Sequence, residues 1–451
     1  MSVFYTVYLK PTLQIAQKLY FNSAKFDFTE RAPLKEGFLL SANHPNAAVD
    51  PMNAGIKLDT QLYFLTRGDV FTTAFNRFWL AQFHCIPIYR KTDDENYKEK
   101  NNETFDICNE NLKNNKPILI FPESICVQEY RLRPLKGGMA LILFTAAEHF
   151  EFKKEFYALP FGQNYYAFTK FRSDYYGAYG EPVRVNDYKA LYLQDKEAAF
   201  KAFNDEVAKR MKENMWIVED AEDDDFFVNI RQILREKIFE SDNEANTNNR
   251  NRFLKFKALG EAISDLKSKE NDVYLQLKLL TQSFKEECES IGVRSKHINH
   301  KIINSRLNFS IFSKIFLLAF TAPIALAGYI LNYLPYKITT HLSATKVKKV
   351  EFYASVNFVV GWILFLWYYL IFGGIFWGLT NWKLALAFVF LSPILGLFSF
   401  NYYILWKNLK SLLQLTKHFE KAKSLLNDKG ELFNLGDELL KYSKERLKKL
   451  K

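Results

Sequence analysis

Three uncharged apolar stretches in the C-terminal third are the feature that most limits how this chain can fold. They cover residues 315–334, 358–379 and 384–406, and they are about 20, 22 and 23 residues long. An α-helix needs about 20 predominantly apolar residues to cross the hydrocarbon core of a bilayer. We therefore expect an integral membrane protein whose membrane region covers residues 307–406.

The positions of the lysines predict how these stretches are oriented. Four lysines separate the first two stretches, and the tail after residue 406 is strongly basic. Cytoplasmic segments are enriched in Lys and Arg, so three full crossings would leave one basic segment on the outer side. A re-entrant first stretch that bends near Pro323, followed by two transmembrane helices, keeps every basic segment in the cytoplasm. We expect that arrangement rather than a transmembrane first stretch, with residues 407–451 as a basic cytoplasmic C-terminal helix.

Composition predicts a lipid surface and a reducing compartment. The formal net charge of +11 suits either nucleic acid or an anionic lipid surface. The apolar stretches favour the lipid bilayer, and we expect no nucleic-acid partner. The four cysteines are far apart and lack C-x-x-C spacing, so we expect free thiols rather than disulfides or zinc ligands: Cys85, Cys108, Cys126 and Cys288.

Residues 31–190 alternate short apolar runs with helical stretches, which is typical of an α/β domain with a largely buried sheet. The predicted helices include residues 102–112 and 138–149. The predicted strands are GFLLSAN, QLYFLT, CIPIY, PILIFP, YALPF and YYGAYGEPVRV. A further strand-and-turn block is expected in YALPFGQNY, with the turn through Pro160 and Gly162. Residues 191–306 are charged and helical in spacing, so we expect a helical accessory region there.

The first 30 residues are expected to form an interfacial helix. Leu13, Ala16, Leu19 and Tyr20 recur at helical spacing after Pro11. A helix of this kind lies in the plane of the membrane interface. The same spacing is equally typical of a helix that packs on a protein core.

The first candidate for chemistry is a histidine at the end of a predicted strand. The segment SANHPNAAVDP places His44 in a strand-to-helix loop, with Asp50 six positions later. Neutral imidazole accepts a proton near physiological pH, and a carboxylate on its other ring nitrogen fixes the tautomer and stabilises the imidazolium. His44 is therefore a candidate general base and Asp50 its orienting partner. Taken alone, this spacing is more often a capped loop, so the prediction depends on the segments that follow.

Two further strand ends carry groups that suit a phosphorylated polyol. CIPIYRK places Arg90 directly after an apolar strand, and a guanidinium binds phosphate through two hydrogen bonds. LIFPESICVQEYRLRPLKGG places Glu123 at another strand end, with Lys136 and Gly137 behind it. A carboxylate there can bind a hydroxyl while the cations hold a phosphate and the glycine allows close backbone approach. Each group on its own is more ordinarily a solvated surface residue.

In this combination and order, the segments resemble the glycerolipid acyltransferase family. NHPN...DP, IPIYR, IFPE and LRPLKGG are similar to the branch that acylates glycerol-3-phosphate or 1-acyl-glycerol-3-phosphate. The resemblance covers roughly residues 38–185 and implies an α/β acyltransferase domain with a mixed sheet flanked by helices. It also implies that two residues are catalytic, His44 and Asp50, and that four bind the glycerol-phosphate, Arg90, Glu123, Lys136 and Gly137.

Two departures from the commonest form of these motifs concern backbone geometry. Five residues separate His44 from Asp50 where four are commonest, an interval shared with the branch, so the chain between them must make an extra excursion. Ser124 stands where glycine is usual, which is unfavourable if that turn requires a positive φ.

The expected reaction is direct acyl transfer from acyl-CoA or acyl-carrier protein to a glycerol-phosphate hydroxyl. No Ser or Cys lies in a GxSxG sequence, so we expect no covalent enzyme intermediate, and neither a cofactor nor a metal. Two alternatives remain. One is a metal-dependent hydrolase, although no second histidine lies three or four positions after His44. The other is a catalytically inactive membrane scaffold that keeps the fold.

Overall fold

The computed structural model describes residues 4–28, 35–60, 62–90, 95–240, 248–299, 302 and 307–450. The chain folds into two compact units. The first comprises Met1–Trp216 and Val347–Val359, and the second comprises Ile217–Lys346 and Val360–Lys451. The first unit is therefore discontinuous in sequence, because it takes in a short segment from between the first two apolar stretches.

An eight-stranded mixed sheet forms the centre of the first unit. Its strands are β1 (Ser23–Asp27), β2 (Gly37–Ala42), β3 (Tyr63–Arg67), β4 (Cys85–Ile88), β5 (Ile118–Ile120), β6 (Phe156–Tyr165), β7 (Asp174–Tyr179) and β8 (Val183–Arg184). Their order is β1-β7-β6-β2-β5-β3-β4, with β8 paired to β6. The five strands from β6 to β4 run parallel to one another, whereas β7 and β8 are antiparallel to β6. The carboxyl ends of those five strands therefore share one edge of the sheet.

β2 lies in the middle of the sheet, and all six of its residues are buried. Phe38, Leu40 and Ala42 join one apolar cluster with Leu119 of β5 and Phe161 of β6. On the same strand, the Ser41 hydroxyl lies 3.2 Å from the sulfur of Met211. A strand covered on both faces reads as a continuous apolar run, and GFLLSA is such a run.

In the described part of the first unit, the sheet is flanked by seven helices: α1 (Lys10–Tyr20), α2 (Val49–Gly55), α3 (Ala74–Gln82), α4 (Tyr97–Lys113), α5 (Gly138–His149), α6 (Lys189–Gln194) and α7 (Lys196–Glu213). Short helical turns at Phe4–Leu9 and Tyr353–Ser355 also belong to it, as does the turn Val356–Val360 except for its last residue. The predicted fold class, an α/β domain with a mixed sheet flanked by helices, is confirmed.

The sheet differs from the sequence prediction at two places. β1 was not predicted; it lies in the first 30 residues and pairs with β7. The predicted turn through Pro160 and Gly162 is wrong, because β6 continues across both residues to Tyr165. Gly162 instead allows a close approach, since a Cβ there would lie 2.0 Å from the backbone oxygen of Asn214.

α1 packs one of its faces into the first unit. Leu13, Ala16 and Tyr20 are buried, as is Gln17. Ile15 remains 58% exposed on the other side of the helix. The packed-helix alternative therefore describes one face of α1, and the interfacial role stays a prediction for the other.

The first unit extends beyond the predicted domain boundary at residue 190. α7 buries Phe203, Val207 and Met211, and the last of these contacts β2. The residues up to Trp216 therefore complete the α/β unit. The helical accessory region begins later than predicted, because these apolar positions cover the sheet.

The second unit is helical. It contains α8 (Asp224–Ile233), α9 (Arg235–Ile238), α10 (Asn249–Lys269), α11 (Asn271–Ser290), α12 (Leu307–Lys346), α13 (Gly361–Leu379), α14 (Trp382–Lys417) and α15 (Phe419–Leu450). Among the described residues, three stretches are long and apolar enough to cross a membrane: Ile311–Lys346, Val350–Leu379 and Trp382–Lys417. An 18-residue segment in each has mean hydropathy 1.9, 2.0 and 2.0, and the second stretch begins within the first unit. Only 17% of that 18-residue segment is buried inside the protein in each stretch, so most of its apolar surface needs lipid.

Close contacts join the apolar helices. A Cβ at Gly328 of α12 would lie 2.1 Å from the backbone oxygen of Leu395 in α14. The Asn332 amide donates to the Ser392 carbonyl at 3.0 Å, and the Tyr369 hydroxyl of α13 hydrogen-bonds to Asn332. Small residues and interhelical hydrogen bonds of this kind hold helices together in lipid. α12 is one 40-residue helix that continues through Pro323, and its re-entrant placement stays a prediction.

Candidate active site

His44 and Asp50 are in direct contact at the shared edge of the sheet. His44 follows β2, and Asp50 lies in the first turn of α2. His44 Nδ1 is 2.8 Å from Asp50 Oδ2. The Asp50 side chain is fully buried, whereas 20% of the His44 side chain is exposed. With Nδ1–H donating to the carboxylate, Nε2 is the ring nitrogen that can accept a proton.

Three donors surround the buried carboxylate of Asp50. Besides His44, the Asn46 backbone N–H donates to Oδ2 at 2.6 Å, and the Tyr165 hydroxyl donates to Oδ1 at 2.6 Å. Burial raises the pKa of Asp50, and these hydrogen bonds oppose the rise. The network continues from Tyr165 to Asn53 at 3.2 Å and from Asn53 to Gln17 at 2.7 Å. Tyr165 and Asn46 were not predicted from the sequence.

The longer interval between His44 and Asp50 is accommodated by one left-handed residue. Ala47 has φ of 39°, and its N–H donates to Cys126 Sγ at 3.2 Å. Only glycine adopts such a φ freely. The extra excursion predicted for this loop is therefore located at Ala47, and contacts from outside the loop must stabilise it.

The loop after β5 fixes His44 from the other side. The Val127 N–H donates to the His44 carbonyl at 3.1 Å. The Phe121 ring stacks on the imidazole, with 3.8 Å between centroids and 10° between planes. The imidazole is therefore held between an aromatic ring and the Asp50 carboxylate, which limits its rotation.

Glu123 is buried beside this pair and is held by two backbone donors. The His44 N–H donates to Oε1 at 3.3 Å, and the Arg133 N–H donates to Oε2 at 2.9 Å. Burial raises the pKa of Glu123 to about 7, although both hydrogen bonds oppose the rise. Glu123 thus orders the backbone of His44 in addition to its predicted role as a substrate ligand.

A small cleft opens beside His44 and Glu123. The cleft is open to solvent, and its lining includes Glu129, Arg131 and Arg133. Glu129 holds both arginines, with Oε2 at 3.0 Å from Arg131 Nε and Oε1 at 2.5 Å from Arg133 Nε. The cleft therefore presents two oriented guanidinium groups next to the imidazole, a suitable surface for a phosphate.

The turn after β5 requires a positive φ at Ser124, the position where glycine is usual. Ser124 has φ of 60°, in the left-handed region. The usual glycine would adopt it without steric cost, whereas serine is strained there. The turn is nevertheless closed by a hydrogen bond from the Ser124 N–H to the Phe121 carbonyl at 3.0 Å.

The other predicted ligands lie at the same sheet edge but do not line this cleft. Arg90 is half-buried after β4, and β4 is two strands from β5 in the sheet. Neighbouring strands are about 4.8 Å apart, so β4 and β5 are separated by roughly 10 Å across the sheet. Arg90, which follows β4, is therefore about that far from the strand that precedes Glu123. Lys136 and Gly137 are exposed at the start of α5, and a Cβ at Gly137 would meet open space. Their substrate contacts stay predictions.

Cys126 joins His44 and Asp50 in a group whose ligand atoms lie within 4.8 Å of one another. Such a group could in principle hold a metal ion. However, each Asp50 oxygen already accepts a short hydrogen bond. Burial and nearby carboxylates raise the pKa of the Cys126 thiol, which disfavours the thiolate that would act as ligand or nucleophile. The geometry therefore favours a general-base pair over the metal-dependent alternative.

Comparisons with known proteins show what the chain is similar to. The chain matches the family model described as Acyltransferase over residues 23–161, which contain the His44–Asp50 pair and Glu123. Its structure is similar to the crystal structure of the 1-acyl-sn-glycerophosphate (LPA) acyltransferase, PlsC, from Thermotoga maritima, with a TM-score of 0.32, 14% sequence identity and coverage of 46% of this chain and 78% of that chain. A search of curated protein sequences found no match. The family match thus covers about a third of the chain, and it lies within the part of the sequence where an acyltransferase domain was expected.

Proposed function

We propose that this chain is a membrane-bound glycerolipid acyltransferase of phospholipid biosynthesis. It transfers a fatty acyl group from acyl-CoA or acyl-carrier protein to a hydroxyl of glycerol-3-phosphate or 1-acyl-glycerol-3-phosphate. The observation that carries the proposal is the 2.8 Å contact between His44 and the fully buried Asp50, next to a cleft lined by two arginines. An imidazole oriented in this way is a general base for a hydroxyl.

The chemistry follows from that orientation. His44 Nε2 removes the proton of the acceptor hydroxyl as its oxygen attacks the carbonyl carbon of the thioester. Asp50 stabilises the imidazolium that forms, because its carboxylate faces Nδ1–H. The tetrahedral intermediate collapses with cleavage of the C–S bond, and the imidazolium returns the proton to the thiolate that leaves. The reaction needs no cofactor or metal beyond the acyl donor.

Acceptor binding is assigned to charges around the cleft. Arg131 and Arg133 are held by Glu129 with their side chains at the cleft wall, and either can face a phosphate. When glycerol-3-phosphate is the acceptor, Glu123 would bind the hydroxyl that is not acylated. We assign Arg90, Lys136 and Gly137 to the phosphate as well, on the resemblance to the family.

The membrane helices suit a product that is a lipid. Three stretches within the described part of the chain are long and apolar enough to cross a bilayer. We place the catalytic unit on the cytoplasmic face, where its thioester donors are found and where the basic segments are expected. A net charge of +11 then favours anionic lipid headgroups.

The test uses the full-length chain in lipid bilayers with a radiolabelled acyl donor and a panel of acceptors. We expect acylation of glycerol-3-phosphate or 1-acyl-glycerol-3-phosphate by the wild type. His44→Ala should lower kcat by about a thousandfold or more, and Asp50→Asn by a hundredfold or more, on the scale of such pairs. His149→Ala is the matched control, because His149 ends α5 outside the cleft.

The same assay decides between the enzyme and the inactive scaffold. Ser124 is the feature that favours a scaffold, since its left-handed φ strains the turn beside the catalytic pair. Absence of transfer to every acceptor, or a His44→Ala variant as active as wild type, would refute the enzyme and leave the scaffold.

A further inference from the structure

The segment Val347–Val359 connects two apolar helices in the sequence yet belongs to the catalytic unit. α12 ends at Lys346 and α13 begins at Gly361. Within the segment, Ala354 and Phe358 are 1% and 3% exposed. The Phe358 ring packs edge-on against Tyr20 of α1, with 5.1 Å between centroids. The segment is therefore part of the folded core of that unit rather than a loose connection.

Ser355, on this segment, binds the loop between His44 and Asp50. Its hydroxyl donates to the Asn46 carbonyl at 2.8 Å and accepts from the Val49 N–H at 3.4 Å. Ser355 is 5% exposed, so water does not readily replace these bonds. The side chain thus joins the two ends of the turn that carries the left-handed Ala47.

A second contact from the same segment reaches the same loop. The Gln128 amide donates to the Asn46 side-chain oxygen at 2.8 Å and to the Val350 carbonyl at 3.3 Å. Asn46 in turn donates its backbone N–H to Asp50 at 2.6 Å. Asn46 is therefore the residue through which the segment reaches the carboxylate that orients His44.

We infer that Ser355 is a positioning residue for the His44–Asp50 pair, an inference that rests on the proposed acyl transfer. Ala47 makes the loop unfavourable on its own, and the hydroxyl of Ser355 supplies an external bond that closes it. Without that bond Asn46 moves more freely, its N–H leaves Asp50 more often, and the imidazole is less often in the productive orientation. Small losses of orientation lower the rate of the chemical step far more than substrate affinity.

Ser355→Ala in the full-length chain tests this role through two measurements. We expect kcat to fall about tenfold or more with each KM within about twofold of wild type. We also expect the amides of residues 46–49 to exchange with deuterium about tenfold faster. Gln128→Met, which removes the second contact, should shift both measurements in the same direction. Ser173→Ala is the matched control, because Ser173 is a buried serine of the same unit whose hydroxyl bonds to Asp174 instead.

The two measurements separate the positioning role from the proposed function. If the wild type transfers no acyl group, the proposed function fails, and faster exchange in Ser355→Ala still shows that Ser355 orders the loop. If the wild type is active, positioning requires both a lower kcat and faster exchange. A Ser355→Ala variant that matches Ser173→Ala in either measurement overturns the inference.

Discussion

Asp50 depends on hydrogen-bond donors to remain ionised inside the protein. Its carboxylate is fully buried, and its donors are the His44 ring, the Asn46 backbone and the Tyr165 hydroxyl. Burial and the nearby carboxylate raise the pKa of Tyr165, so Tyr165 stays a hydroxyl that donates. At the residue scale, the proposed catalytic pair therefore depends on two further residues, Asn46 in the same loop and Tyr165 at the end of β6.

Tyr165→Phe tests the contribution of that hydroxyl. Loss of a donor that lowers the pKa of Asp50 must raise that pKa further. Because the active form carries ionised Asp50, we expect the acidic limb of the pH–kcat profile to move to higher pH, and kcat at pH 7 to fall about tenfold. The measurement is kcat from pH 5 to 9. Tyr192→Phe is the control, because the Tyr192 hydroxyl donates to Glu148 at 2.7 Å and lies outside the cleft. It should leave the acidic limb of the pH–kcat profile unchanged. An equal shift in both variants would contradict the role of Tyr165 as a donor to Asp50.

Glu123 makes stability depend on pH in the opposite sense to an ordinary ion-paired carboxylate. Its pKa rises to about 7 in the fold, so the unfolded chain releases this proton more readily. Stability is then lost as pH rises from about 4.5 to 7. We expect Glu123→Gln, which cannot ionise, to gain up to about 3 kcal/mol relative to wild type between pH 5 and pH 8.5.

The measurement for Glu123 is urea unfolding in detergent at both pH values. Glu197→Gln serves as the control, because Glu197 is exposed on α7 and its replacement should have a small effect that does not change with pH. If Glu123→Gln changed the free energy of unfolding equally at pH 5 and pH 8.5, burial would not raise the pKa of the Glu123 carboxyl group.

At the scale of elements, several segments were predicted closely because their local pattern is unambiguous. α5 covers Gly138–His149 as predicted, and the apolar runs of β2 and β5 are strands. β1 was missed because SAKFD is only half-buried and lacks a clear alternation. Tyr165 was missed because its contact with Asp50 depends on how far β6 extends beyond β2. The last residue of β2 that pairs with β6 is Ala42, opposite Phe161, and β6 continues for four more residues to Tyr165.

The turn after β5 offers a test of strain in a single element. Ser124 is exposed and has φ of 60°. A non-glycine residue there costs roughly 1 kcal/mol, so we expect Ser124→Gly to stabilise the protein by about 0.5–1 kcal/mol despite the added flexibility of the unfolded chain. Urea unfolding measures the change. Ser23→Gly in β1 is the control and should be destabilising, since glycine weakens a strand. A loss of stability in Ser124→Gly would mean that the φ of Ser124 is not strained.

At the scale of the whole molecule, the order of the sequence motifs alone does not delimit the α/β unit. The family match covers residues 23–161, yet the unit extends to Trp216 and takes in Val347–Val359. The contribution of the second segment could not be predicted, because it lies some 300 positions from its partners Asn46 and Val49, as the separations of 309 and 306 residues show. Sequence spacing carries no signal for such a contact.

A chain of residues 1–216 joined by a flexible linker to residues 347–359 tests this discontinuity. We expect its melting temperature to exceed that of residues 1–216 alone by several degrees, because Phe358 and Ser355 become buried again. Circular dichroism during heating provides the measurement. The control carries the same linker with residues 347–359 in scrambled order; equal melting of the scrambled and native chains would show that the segment adds nothing to the unit.

The order of synthesis gives the discontinuous unit a biological consequence. A ribosome completes residues 1–216 well before residues 347–359, because residues 217–346 lie between them in the sequence. Until then the nascent chain lacks the Ser355 hydroxyl that bonds to the loop between His44 and Asp50. On the proposed function, the enzyme therefore reaches its full rate only after the first apolar helix has been synthesised, which limits acyl transfer before the chain arrives at the bilayer.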